Sequence, residues 1–362
     1  MVRKGLSPPA LGLAAGIWSG NPVPPGPGIG LRPAPAPVIR GLAFAALLSA
    51  TPTAWAGEEG TFVGGGADTQ VGVVAGAGVV GQSQAELDLR YARGPVFLRF
   101  DADTTLAYGD GGAQLVWTPP EWAMAQVGGD TWRGRGGILN PQVGYEDWDA
   151  WLNPLPTWSV MFNAATPGRI LGAELERSLS EDVHVFAWAG LDIDWAGSWN
   201  GRPPGVGDVP GFGVGVRGEL ESFSTWSGVF AVPSDGFYAA VYTFDLYPAD
   251  ALTLLFDGAA GLSAGAGFAG GQVVATVLPE GAVSPVARAE WVVDPDGRAL
   301  GGWAAGVPAG TGSLGLRSQP LDPLILMLEA KASLGDGELH PGLWLGVELV
   351  RPEPAPFSIE PD

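Results

Sequence analysis

The chain has 362 residues, 46% of them hydrophobic and only 15% charged, with a net charge of −20, no cysteine and a mean hydropathy of +0.19. No run of 18 apolar residues follows residue 57, which excludes a helical membrane protein despite the hydropathy. The acidity excludes electrostatic binding of nucleic acid, and 35 aromatic residues, 15 of them Trp, exclude a disordered chain.

Residues 1–37 are rich in Pro and Gly and read as an upstream extension or disordered leader, not as a domain. From residue 38 the pattern changes. Arg40 precedes the apolar stretch Gly41–Ala50, then Pro52, then Ala54-Trp55-Ala56. Charge, short apolar core, break and A-x-A site together predict a secretory signal peptide over 38–56, with the mature chain starting at Gly57. Residues 1–56 carry four bases and no acids, so the remainder stands at −24.

Beyond residue 57, apolar and polar residues alternate with period two, the signature of strands with one face in an apolar phase. Ala85, Leu87, Leu89 and Tyr91 alternate with Glu86, Asp88 and Arg90. Val96, Leu98, Phe100 and Ala102 alternate with Phe97, Arg99, Asp101 and Asp103.

Residues 130–156 break the pattern and read as one long irregular segment. It opens with Arg133 and Arg135 and continues with Glu146, Asp147 and Asp149 set among Tyr145, Trp148 and Trp151. Loops of this length usually carry function. Folded inward, this one would put charge at a constriction; folded outward, its aromatics would rest on the rim. Three carboxylates within four residues suit a metal, but the spacing lacks the regular oxygen ligands of a calcium loop.

Alternation then resumes. Val183, Val185, Ala187, Ala189, Leu191 and Ile193 alternate with His184, Phe186, Trp188, Gly190, Asp192 and Asp194. Val214, Val216 and Leu220 alternate with Arg217, Glu219 and Glu221. Leu324, Leu326 and Leu328 alternate with Ile325, Met327, Glu329 and Lys331; Leu343, Leu345, Val347 and Leu349 alternate with Trp344 and Glu348. Turn residues separate these runs, as at Gly109–Gly112 and Gly335-Asp336-Gly337. Residues 351–362 form a tail.

The fold expected is all-β: a transmembrane antiparallel up-and-down barrel over 57–350, with about sixteen strands, within two either way. A soluble β-sandwich alternates too, but its wet face is usually rich in Lys. Here Lys occurs twice, at Lys4 and Lys331. The lumen face carries ten acids against four bases on the strands read above, which predicts a weakly cation-selective, water-filled pore. Pore-lining candidates are Glu86, Asp88, Arg99, Asp101, Arg133, Arg135, Glu146, Asp147, Asp149, Asp192, Asp194, Arg217, Glu219 and Glu329.

The stretch from Gly136 to Trp195 resembles the bacterial outer-membrane porins grouped as the OmpL-like, or porin-2, family. The resemblance rests on Gln126-Val127-Gly128-Gly129, on the G-x-x-x-Asn-Pro-x-x-Gly-Tyr-Glu run from Gly136 to Glu146, on Pro156-Thr157-Trp158-Ser159, and on the runs Arg169–Leu179 and Val183–Trp195. It implies a pore for small solutes in the outer membrane of a Gram-negative bacterium, with no cofactor. Outer-membrane lipid, lipopolysaccharide, the barrel-assembly machinery and further copies of the chain are the partners it implies. The tail departs from the family, whose barrels commonly end on an aromatic residue; here Phe357 lies inside it. A structural or adhesive barrel without an open pore is the second reading. An enzyme is the third, and it is weak: neither His184 nor His340 has a nucleophile signature beside it.

Overall fold

The computed structural model describes residues 60–74, 78–109, 112–117, 122–129, 131–139, 154–157, 170–192, 210–220, 222–233, 236–263, 265–279, 281–294, 309–321, 324–335 and 338–350. The expectations for the leader and signal peptide (1–56), the tail (351–362), Glu146, Asp147, Asp149 and Asp194 lie outside these residues. The side chains of Asp103, Asp192 and Glu219 lie outside the description as well.

The strands are β1 Gly60–Val74, β2 Gly78–Arg93, β3 Val96–Gly109, β4 Gly112–Trp117, β5 Trp122–Gly129, β6 Trp132–Leu139, β7 Ile170–Ser178, β8 Val183–Asp192, β9 Pro210–Leu220, β10 Phe223–Val232, β11 Phe237–Ala249, β12 Leu252–Ser263, β13 Ala266–Val277, β14 Val283–Val293, β15 Ala309–Leu321, β16 Leu324–Gly335 and β17 Glu338–Val350. All pairings are antiparallel; apart from β4, which pairs with β3 alone, each strand pairs on both sides, and β1 pairs with both β2 and β17, so the sheet closes on itself. Closure removes the open sheet edge that lipid would not tolerate.

Seventeen segments fill sixteen positions. β4 pairs with Thr104–Gly109 of β3 and β5 with Val96–Asp101, so β4 and β5 share one place in the barrel. Between them in the sequence stand Pro119 and Pro120, which have no N–H to give a ladder. The expected sixteen-strand barrel is therefore what the chain forms.

The connections differ at the two ends. At one end, β2–β3, β5–β6, β9–β10, β11–β12 and β15–β16 are joined by two residues each, and both termini of the barrel lie there. Gly94, at φ 51°, makes one of these tight turns in the left-handed region that glycine enters without strain. The other end carries the long connections: 30 residues between β6 and β7, 17 between β8 and β9, and 15 between β14 and β15. Short turns on one side and long loops on the other are the usual build of an outer-membrane barrel.

The two faces divide as the alternation requires. Leu87, Leu89, Leu98, Leu175, Val214, Leu314, Leu328 and Leu345 point outward and remain exposed, giving an apolar belt. Glu86, Asp88, Asp101, Glu174, Glu176, Arg288, Glu329 and Glu348 point inward. The inner face is not polar throughout, as the alternating sets that include Phe186, Trp188, Ile325 and Met327 already imply. Ile325 and Met327 are inward and buried, and a larger cluster of Phe186, Trp188, Phe230, Phe237, Phe268 and their aliphatic neighbours covers the inner wall toward the long-loop end.

Candidate functional site

The segment 130–156 is not one loop. Trp132–Leu139 is strand β6, and it carries Arg133 and Arg135 on its lumen face. This corrects the reading of both arginines as loop residues. The true connection starts at 140, and its described part, Pro154–Thr157, lies deep inside the barrel.

That tip sits against the inner faces of β12 to β17. Leu155 packs with Leu255, Val274 and Val286 in a buried cluster. It also lies over Gly315, where an added Cβ would meet Leu155 Cδ2 at 2.3 Å, and Pro156 lies 3.1 Å from the corresponding point at Gly346. Thr157 is the polar anchor. Its N–H donates to Glu329 Oε2 at 3.2 Å and its hydroxyl donates to the same carboxylate at 2.8 Å. The Arg288 guanidinium donates to the Thr157 carbonyl at 2.6 Å and to its Oγ1 at 2.7 Å, and Lys331 Nζ donates to Oγ1 at 3.3 Å. Arg288 also pairs with Glu329 and Glu290 at 3.1 Å, and Thr311 donates to Glu290 at 2.6 Å.

The connection leaves from the fifth barrel position and returns at the sixth, whereas β14 to β16 are the thirteenth to fifteenth of sixteen. Half of sixteen is eight, so the tip is held on the wall opposite its own base.

Two charged walls line the lumen besides this seat. On the first, β17, β1, β2 and β3 bring like charges face to face. Asp68 lies opposite Glu348, Asp88 opposite Asp101, and Arg90 opposite Arg99. Opposite charges meet along each strand instead: Arg99 with Asp101 at 2.5 Å and Arg90 with Asp88 at 3.8 Å. Glu86, Asp88 and Asp101 have carboxylate oxygens within 4.8 Å of one another. These three are the described group best placed to hold a cation, but Arg90 and Arg99 stand beside them and offset most of the charge.

The second wall is β6 to β9. Here opposite charges face each other: Arg133 opposite Glu176 and Arg135 opposite Glu174. Arg133 donates to Glu176 Oε1, Arg217 reaches the same oxygen at 3.3 Å, and Arg135 reaches Oε2 at 3.4 Å and Glu174 at 3.0 Å. His184 Nδ1 lies 3.0 Å from Ser178 Oγ and 3.6 Å from Glu176. Both contacts fall on one ring nitrogen. A nucleophile–base–acid relay needs the two nitrogens to serve different partners, so this is not that geometry.

Of the residues read from the sequence, Glu86, Asp88, Arg99 and Asp101 are gathered on the first wall, Arg133, Arg135 and Arg217 on the second, and Glu329 at the loop seat. Glu174, Glu176, Arg288, Glu290, Asp68 and Thr157 were missed. The first two were legible, since Glu174 and Glu176 alternate with Leu175 and Arg177. Thr157 carried no local signal.

No family model and no curated protein matches the sequence. Structural similarity is to bacterial outer-membrane porins and channels. The outer-membrane channel DcaP of Acinetobacter baumannii aligns at a TM-score of 0.57 with 12% identity, over 81% of this chain and 98% of that one. An anion-selective porin from Comamonas acidovorans aligns at 0.58 with 12% identity, over 81% and 100%. OprB of Pseudomonas putida aligns at 0.58 with 8% identity, over 80% and 93%. At these identities the likeness shows the fold.

Proposed function

We propose that the chain is an outer-membrane, porin-like channel that lets small hydrophilic solutes diffuse through a lumen narrowed by the β6–β7 connection. The observation that carries this is the seat of Thr157 on the far wall. Barrels of sixteen strands enclose an aqueous channel unless something fills it. A segment pinned across the lumen by charged groups restricts passage by size and charge, as constrictions in channels do. A purely structural or adhesive barrel would need neither the seat nor charged walls.

Among the described strand residues, eleven acids face the lumen: Asp68, Glu86, Asp88, Asp101, Glu174, Glu176, Asp245, Asp257, Glu290, Glu329 and Glu348. Eight bases face them: Arg90, Arg99, Arg133, Arg135, Arg217, Arg288, Arg317 and Lys331. Among these described side chains the acids exceed the bases by three, which supports a weak cation preference. The proposal includes export by the signal peptide, with a mature start at Gly57, and insertion by the barrel-assembly machinery among lipopolysaccharide.

Planar-bilayer recording tests both parts. Discrete conductance steps are expected from the purified barrel, and a silent barrel would overturn the channel. Under a potassium chloride gradient the reversal potential should indicate a slight cation preference; an anion preference would remove the charge reading and leave the channel.

A further inference from the structure

The tip Pro154–Thr157 is stiff by sequence. Proline restricts φ at 154 and 156, and Leu155 is kept out of the helical region because a proline follows it. Leu155, Pro156 and Thr157 are all buried against the wall. The tip therefore meets β12 to β17 as one stiff key, with Leu155 as its apolar bit and Thr157 as its polar one.

The wall is cut to receive it. The inner positions of β15 run Thr311, Ser313, Gly315 and Arg317, and those of β17 run Trp344, Gly346 and Glu348. In each set glycine stands where the tip lies. A Cβ on Gly315 would fall on Leu155, far inside contact distance, and 2.9 Å from the Leu328 carbonyl oxygen. One on Gly346 would stand 3.1 Å from Pro156 Cβ and 3.2 Å from Met327 Cε. Leu255, Val274 and Val286 close the rest of the notch around Leu155. The polar contacts do not fix the depth of insertion, because Arg288 and Lys331 reach Thr157 on long stems that can follow a displaced tip. Close packing does fix it, since extra atoms in a filled site push side chains or backbone aside.

We propose that Gly315 and Gly346 determine the size limit of the passage, by fixing how deeply the β6–β7 connection seats in the wall. The hydrogen bonds of Thr157 select the wall, and the two glycines set the depth. The inference rests on the channel reading, because a size limit has meaning only for an open passage. It places size selectivity at two wall residues that have no side chain, about 160 and 190 residues along the chain from the tip they receive.

The test is a double-substitution comparison on the full-length barrel, read by planar-bilayer recording and by urea unfolding in micelles. Gly315→Ala should shift the conductance steps to larger, noisier values, because Leu155 no longer enters its notch. In a Leu155→Ala background the same substitution should cause no further shift, because the added methyl then has room. Gly346→Ala should shift the steps less, since the flexible Met327 can give way. Gly312→Ala, on the outward face of β15 with nothing within 4 Å of an added Cβ, should leave them unchanged. The loss of stability caused by Gly315→Ala should likewise shrink in the Leu155→Ala background. Steps of wild-type size from Gly315→Ala would overturn the proposal. So would a stability loss equal in the two backgrounds, which would put the clash at the Leu328 carbonyl. Should Gly315→Ala not fold, Gly346→Ala takes its place, with Pro156→Gly as its background. A wild-type barrel without steps removes the channel and the size limit with it, while the shrinking loss in urea still reports the fit of tip and wall.

Discussion

The wall built from β17, β1, β2 and β3 and the wall built from β6 to β9 solve the same problem in opposite ways. Both line a barrel interior with charge. On β6 and β7 the register sets Arg against Glu, so each cross-strand neighbour stabilises the other. On β2 and β3 it sets Asp against Asp and Arg against Arg, which cross-strand pairing disfavours, and the ions find partners along their own strands. One wall's charges help hold the sheet together. The other wall's charges are kept against the preference of the sheet, which is the pattern expected where charge serves passage and not folding.

Removing a carboxylate should therefore cost much more on the second wall than on the first. Glu176→Ala takes the acceptor from Arg133, Arg135 and Arg217. Breaking a buried pair costs roughly 3–5 kcal/mol, and the partial exposure of Arg133 and Arg217 places this variant toward the lower end. Urea unfolding in micelles should show the loss, and a barrel as stable as the wild type would break the contrast.

Outside, the two walls should be indistinguishable. Leu89→Arg on β2 and Leu175→Arg on β7 both put a cation on the exposed apolar belt. Each should lose up to roughly 2–4 kcal/mol in lipid folding titrations. If only one variant were impaired, the belt would not meet the same surroundings at both strands.

The seat gives a smaller effect. Thr157→Val leaves the Glu329 carboxylate and Arg288 without the Thr157 hydroxyl. An unsatisfied buried group costs about 1–3 kcal/mol. The expected outcome is a modest fall in stability with larger, noisier single-channel conductance; unchanged conductance would mean that the anchor does not set the opening. Least of all, Asp88→Asn relieves the like-charge pair with Asp101 but weakens the ion pair with Arg90, so the two effects offset and stability should change by less than about 1 kcal/mol. A clear loss in the same urea assay would show that Asp88 is needed for the wall's own stability.

The barrel was legible because period two is a local property, visible in any run of eight residues such as Leu324–Lys331. What misled on β6 was glycine. Gly134 and Gly136 occupy two of its outward positions, so between Trp132 and Ile138 the arginines alternate with nothing apolar and the stretch reads as a polar turn. The interior apolar cluster hid for a related reason, because a ring on the inner face of β8 looks like any aromatic in an alternating strand until Gly213 and Gly215 show where it lies. The seat of Thr157 could not be seen at all. Its partners stand 131 to 174 residues away in sequence, and no local pattern encodes a contact at that range.

That separation also bears on the order of events during biogenesis. Arg288, Glu329 and Lys331 all belong to the last third of the chain, and Thr157 can dock only once the strands bearing them stand in register. Contacts that close so long a stretch of polypeptide bear a large entropic penalty and form late. The physical expectation is a nascent barrel whose wall is nearly complete before Pro154–Thr157 is seated. Docking of Thr157 is then expected as the finishing step, so that a seated Thr157 marks a wall already in register.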